Sequence, residues 1–140
     1  MNEMRQAQVV EEMTFKRAFI RCVREKYVDF DYRASRSEYW KFMLIYTVIL
    51  FIMQNLDAVF FPQTIGHSEM GGVITAIAAL LLFLPGLGVH IRRLHDVGKS
   101  GWWVLLQFVP LIGLLVLFYF LVKPSEKGAN KYGPQPPETL

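Results

Sequence analysis

The sequence predicts an all-α membrane protein with three transmembrane helices, preceded by a basic amphipathic helix on the cytoplasmic side. Three observations carry that expectation. Residues 39–61, 73–91 and 102–122 are apolar blocks of 23, 19 and 21 residues, and together they hold two formal charges, Lys41 and Asp57. About 20 helical residues cross an apolar core roughly 30 Å thick. A soluble helix would also show polar residues along its outer face every three or four positions, and these blocks do not. The third observation is the placement of basic residues. Nine Lys or Arg lie before or just inside the first block and three lie between the second and third, whereas residues 62–72 contain none. Basic residues near span ends stay in the cytoplasm, so the N-terminus and the second loop face inward and the first loop faces outward.

The chain of 140 residues has room for one domain. It divides into a cytoplasmic N-terminal segment (1–38), a transmembrane domain (39–122) and an irregular tail (123–140). The N-terminal segment is charged and mixed, unlike a cleaved signal peptide, so the first span is expected to insert the chain and remain in it. Within residues 12–28, Phe15, Phe19, Cys22, Val23 and Tyr27 recur at helical spacing, while Lys16, Arg17, Arg21 and Arg24 populate the other face. Such a helix can lie on an anionic inner leaflet or pack on the cytoplasmic ends of the spans. Ser35 followed three residues later by Glu38 fits a capping box at the start of span one, and Tyr39 and Trp40 suit the headgroup level.

Asp57 is the acid inside an apolar block. Its position about one turn from the outer end, beside Gln54 and Asn55, favours a structural role in reach of headgroups or water over a transport role. Pro85 in span two removes a backbone donor and frees a carbonyl. The third block contains Pro110 and Gly113. It reads as one kinked span, with a re-entrant hairpin that returns the tail to the cytoplasm as the alternative. The tail holds four of the seven prolines.

Residues 90–103, HIRRLHDVGKSGWW, concentrate charge between two uncharged blocks. Gly98-Lys99-Ser100 suggests a phosphate loop, but Arg93 occupies the position of the required first glycine and a membrane span precedes it. His90, His95 and Asp96 are the candidate metal ligands. The five-residue spacing of the histidines does not place them on one helix face, and His67 belongs to the opposite side. Ser100 has only His95 nearby as a catalytic partner. Cys22 is the single cysteine, which rules out an internal disulfide. Neither enzyme chemistry nor a metal or other cofactor is expected. A membrane-surface turn meets every requirement: arginines bind lipid phosphates in pairs of hydrogen bonds, and tryptophans anchor the next helix at the interface.

Three stretches together resemble a family of small bacterial inner-membrane proteins, the YhaH/YhaI type, catalogued as a domain of unknown function. They are Arg33-x-Ser-Arg36-x-Glu38-Tyr-Trp40, the loop Arg92-Arg93-Leu-His95-Asp96-x-Gly98-Lys99-Ser100-Gly101-Trp102-Trp103, and the tail Asn130-Lys-Tyr132-Gly133-Pro134-x-Pro136. The chain departs from the pattern at Tyr32, where the family usually has glycine. The resemblance implies a location in the bacterial inner membrane and no particular activity.

Two function classes remain. One is a non-enzymatic membrane module that binds anionic lipid or a partner protein through a cytoplasmic charged face formed by Arg36, Glu38, Arg92, Arg93, His95, Asp96, Lys99 and Trp102. The other is a small transporter or channel subunit, which would act as a homo-oligomer because three spans do not easily enclose a pore. Gln54, Asn55, Asp57, Thr75 and Gln107 are too scattered to make the polar stripe that transport favours, so the module is the expectation. No nucleic-acid partner is expected.

Overall fold

The computed structural model describes residues 14–62 and 72–137. The first 13 residues, residues 63–71 with His67, and residues 138–140 lie outside the described residues.

Helix α1 (Phe15–Ile20) begins at Thr14, whose hydroxyl accepts the Arg17 N–H, and it runs into a π-helical turn, Arg21–Glu25. This is the core of the basic helix expected over residues 12–28. Its apolar side rests on the next helix: Ala18 and Cys22 are buried, and the Phe19 and Phe42 rings stack with centroids 6.1 Å apart.

Helix α2 (Arg36–Phe60) is 25 residues long and starts where Ser35 accepts the Glu38 N–H at 3.1 Å. Half of the expected capping box is therefore present. The other half is not, because the Glu38 side chain turns inward to Arg92. Helix α3 (Val73–Asp96) has 24 residues and runs antiparallel to α2. Asp57 near the end of α2 meets the start of α3, and Glu38 near the start of α2 meets its end. Both helices are long and apolar enough to cross a membrane. Their flanks carry exposed Leu44, Val48, Phe51, Ile77, Leu80 and Phe83.

Asp57 has a defined structural role. Its carboxylate accepts the Ile74 N–H at 2.9 Å, the Thr75 N–H at 2.7 Å and the Thr75 hydroxyl at 2.6 Å. It thus caps α3 from a different helix, taking up backbone donors that have no partner within α3. A side chain at Gly72 would collide with it, since a Cβ there would lie 2.2 Å from Asp57 Cγ. The expectation that Asp57 reaches headgroups or water is corrected: the residue is buried against α3.

The carbonyl that Pro85 frees is that of Leu81, four residues earlier, and the Tyr27 hydroxyl donates to it at 2.7 Å. The segment after α1 therefore lies along α3, and Gly88 admits it: a Cβ there would be 3.4 Å from the Asp29 carbonyl oxygen. At its other end α3 stops at Gly98 (φ 74°), with Gly98 N–H donating to His95 O and Lys99 N–H to Leu94 O. This paired closure with a left-handed glycine is a Schellman motif. The glycine of the apparent phosphate loop thus serves as a helix stop.

The third apolar block does not form one helix, so the expectation of a third full span is not confirmed. Gly101–Phe108 is a 3₁₀ helix of eight residues, and after a turn through Pro110 the chain resumes as helix α4 (Ile112–Val122) of eleven. Neither piece reaches the length needed to cross. They fold back on each other: the Trp103 and Phe120 rings meet edge to face at 5.3 Å although seventeen residues separate them. The turn is tight enough that a Cβ on Gly113 would lie 2.1 Å from the Leu106 carbonyl oxygen. The buried apolar core, with Tyr39, Phe42, Val89, Leu94, Val104, Leu117 and Phe120, lies between the hairpin and the charged ends of α2 and α3.

Candidate functional site

The last turn of α3 directs its charged side chains into the protein interior. Arg92 and Arg93 are both fully buried, with Glu38, Asp96 and Arg33. Buried charges of this kind persist only when paired and hydrogen-bonded. Here they form two centres, one on each side of α3.

The first centre joins α1, α2 and α3. Arg92 Nη2 donates to Glu38 Oε1 at 3.2 Å, and Arg21 Nη1 lies 3.6 Å from Glu38 Oε2. Cys22 Sγ stands beside both partners, 3.5 Å from Arg92 Nη2 and 3.8 Å from Glu38 Oε1. Burial pushes the Cys22 thiol up to about 12, and the Glu38 carboxylate adds to the shift. A thiolate is therefore scarce at neutral pH, and the thiolate is the nucleophile. Cys22 in the folded protein should resist maleimide at pH 8 and react once the protein is unfolded in dodecyl sulfate. Labelling at equal rates in both states would contradict the burial.

The second centre joins α3, the segment before α2 and the tail. Asp96 pairs with Arg33 Nε at 3.0 Å, with Arg93 Nη1, and with the Ser125 hydroxyl at 2.5 Å. The arginines use their remaining donors on carbonyls of the tail and of the end of α4: Arg33 on Glu126 and Gly128, and Arg93 on Leu121 and Lys123. Glu126 N–H returns a bond to the Asp96 carbonyl at 2.9 Å, and Asn130 Nδ2 one to the His95 carbonyl at 3.0 Å. Expected from its prolines to be irregular and mobile, the tail has neither helix nor strand over its described residues, and it is clasped onto α3 as a strap. His95 supports it: its ring stacks on Tyr132 at 3.7 Å, and its Nδ1 lies 3.2 Å from the Tyr32 carbonyl oxygen. Tyr32 adopts φ 66°, the left-handed conformation that glycine takes without steric cost. That accounts physically for a glycine preference at this position.

Of the predicted site residues, the fold brings together Glu38, Arg92, Arg93, His95 and Asp96. It leaves three outside the clasp. Lys99 Nζ lies over the Trp103 and Phe120 rings at 5.3 and 5.2 Å, Trp102 is 79% exposed, and Arg36 faces a separate groove at the start of α2. The picture of arginines meeting lipid phosphate at a surface turn is corrected for Arg92 and Arg93, whose guanidinium groups are enclosed by protein. Sequence reasoning omitted Arg33, Ser125 and the tail carbonyls. The signal available was the basic spacing of Arg33 and Arg36. Nothing local marked Ser125.

Residues 27–134 match the family described as protein of unknown function (DUF805). The chain is 40% identical over 114 residues to the inner membrane protein YhaH of Escherichia coli strain K12, covering 81% of this chain and 92% of that protein. It is 41% identical over 114 residues to the inner membrane protein YhaI of the same strain, covering 81% and 91% respectively. No solved structure matches the chain. The matched region takes in both long apolar helices and every member of the clasp except Arg21 and Cys22, so the chain belongs to the DUF805 family and is, like these relatives, a membrane protein.

Proposed function

We propose that the chain is a two-span module of the bacterial inner membrane, with both termini in the cytoplasm, and that its charged cytoplasmic end binds anionic lipid without performing catalysis. The observation that carries the reading is the clasp. Because Asp96, Arg33 and Arg93 hold the tail, the chain after α4 sits at the same end of the molecule as the start of α2 and the end of α3. Only α2 and α3 are then left to cross, and the hairpin between residues 101 and 122 enters and leaves on one side. Its irregular backbone at membrane depth is tolerable because it packs on protein. Exposed Lys16, Arg24, Lys123, Lys127 and Lys131 all belong to the clasped end, and such a basic rim belongs in the cytoplasm, facing anionic headgroups. Two relatives bearing inner-membrane names support the location.

Single cysteines introduced at Ser68, Ser100 and Lys127 test the arrangement against an unreactive Cys22. On intact cells an impermeant maleimide should label Ser68→Cys, while Ser100→Cys and Lys127→Cys should react only after lysis. Labelling of Lys127→Cys from outside would restore a third crossing and overturn the two-span reading.

A further inference from the structure

A groove of about 400 Å³ opens between the last turns of α3 and the 3₁₀ helix that follows it, and Asp31 and Tyr132 also line it. That volume is in the range of small-ligand sites. His95, more than nine-tenths buried, has Nδ1 on the Tyr32 carbonyl at 3.2 Å. A carbonyl only accepts, so Nδ1 carries the ring's proton. Nε2 of the neutral ring is then an acceptor, and it has no partner among the described residues. It faces Gly101, where a Cβ would stand 3.5 Å from it and 2.8 Å from Ile91 Cγ2. Glycine at 101 therefore keeps the ring edge open to the groove. The Ser100 oxygen accepts the Trp102 N–H at 3.4 Å and keeps a second lone pair to spare. Asp31 is the one formal charge in the described lining, and its carboxylate makes no ion pair or hydrogen bond among the described residues.

Three acceptors and one negative charge call for a cation that donates. A primary ammonium has three N–H donors, enough for the carboxylate, the imidazole and the hydroxyl oxygen together. A phosphate in the same place would set its own charge against that of Asp31. Away from this polar end the lining turns apolar. Leu87 and Ile91 carry it back along α3, and eight residues from His95 to Leu87 span about 12 Å. Leu105 and Trp102, both exposed, border it on the hairpin. A soluble amine leaves that wall unused, whereas an acyl chain covers it. Lys131 Nζ lies 4.9 Å from the centre of the Tyr132 ring, which sets a cation beside the groove for the phosphodiester that follows an ammonium head. We propose that the groove seats one aminophospholipid of the phosphatidylethanolamine class, its ammonium among Asp31, His95 and Ser100 and an acyl chain along Leu87, Ile91 and Leu105. The assignment rests on the membrane location and is separate from the binding of anionic lipid at the basic rim.

Trp102 supplies the probe. In the full chain carrying Trp40→Phe and Trp103→Phe it is the sole tryptophan. In vesicles, phosphatidylethanolamine with brominated acyl chains should quench it more than an equal mole fraction of brominated phosphatidylcholine, whose quaternary ammonium has the charge but no N–H. Asp31→Asn, at an exposed residue, should lower the affinity for phosphatidylethanolamine relative to phosphatidylcholine about fivefold. Asp31→Glu should keep most of the preference. Equal quenching by the two lipids, or a preference unchanged in Asp31→Asn, would overturn this site. Neither result touches the response to phosphatidylglycerol, which reads the basic rim. Phosphatidylethanolamine in mixed micelles should raise the melting temperature of the unmodified chain, and soluble phosphoethanolamine at matched ionic strength should not. An equal rise from both would overturn the lipid assignment in favour of a soluble amine.

Discussion

Asp96→Asn should cost about 3–5 kcal/mol of folding stability, the range expected when one partner of a buried ion pair is removed. The carboxylate faces two enclosed guanidinium groups, those of Arg33 and Arg93, and a serine hydroxyl. Asparagine keeps an acceptor oxygen and nearly the same shape, so the loss isolates charge compensation from packing. Two buried cations would then lose the carboxylate they share. The loss should also have a location. The strap depends on the same arginines, which reach the carbonyls of Leu121, Lys123, Glu126 and Gly128. Trypsin should therefore cut after Lys127 and Lys131 in the variant under conditions that spare the native chain. Glu25→Gln, at an exposed residue, provides the control and should stay within about 1 kcal/mol of the native value, the most that an exposed ion pair is worth. Unfolding in mixed micelles, followed by tryptophan fluorescence, measures both. A loss below about 1 kcal/mol for Asp96→Asn would show that the second centre holds together without its carboxylate.

How far the sequence reaches can be judged residue by residue. The two long apolar helices were readable because their composition is nearly free of charge over more than a membrane thickness, a signal that needs no tertiary information. The start of α2 was readable from Ser35, since capping is local. The fate of Glu38 was not, because its competing partner, Arg92, lies 54 residues away. The third block shows the same limit. Pro110 and Gly113 announced a break, yet a break alone does not decide between a kinked span and a hairpin. The decision lies with Arg93, whose donors fit the carbonyls of Leu121 and Lys123 only if the chain comes back. The charged stretch at 92–96 looked like a surface because its neighbours along the chain are a span and a turn. Three segments distant in sequence, around Cys22, Arg33 and Ser125, close over it. Asp57 was read correctly as structural, but its partners are the N–H groups of another helix, and pattern reading finds side chains more easily than backbone donors.

The first centre should respond differently to single and double substitution. Glu38→Leu alone is expected to cost about 3–5 kcal/mol, because it leaves Arg92 buried beside Cys22 without the carboxylate that pairs with it. Arg92 is already sparsely partnered: its Nε and Nη1 make no hydrogen bond among the described residues, and Glu38 Oε2 makes none either, having only Arg21 at 3.6 Å. An ion pair that satisfies so little of its own hydrogen-bonding capacity recovers little of its desolvation cost. Removing both members should therefore restore most of what removing one takes away. Glu38→Leu with Arg92→Met should fold with a stability within about 1–2 kcal/mol of the native chain, giving a coupling energy of about 2 kcal/mol or more in a double-mutant cycle. A double variant as unstable as Glu38→Leu would mean that Arg92 contributes through contacts other than Glu38. The same variant separates scaffold from binding surface. Its apolar replacements are buried between α1, α2 and α3, away from the exposed basic rim of Lys16, Arg24, Lys123, Lys127 and Lys131, so its melting temperature should still rise with phosphatidylglycerol by about as much as the native protein's. Loss of that response with folding intact would place lipid recognition at the buried pair and not at the exposed basic rim.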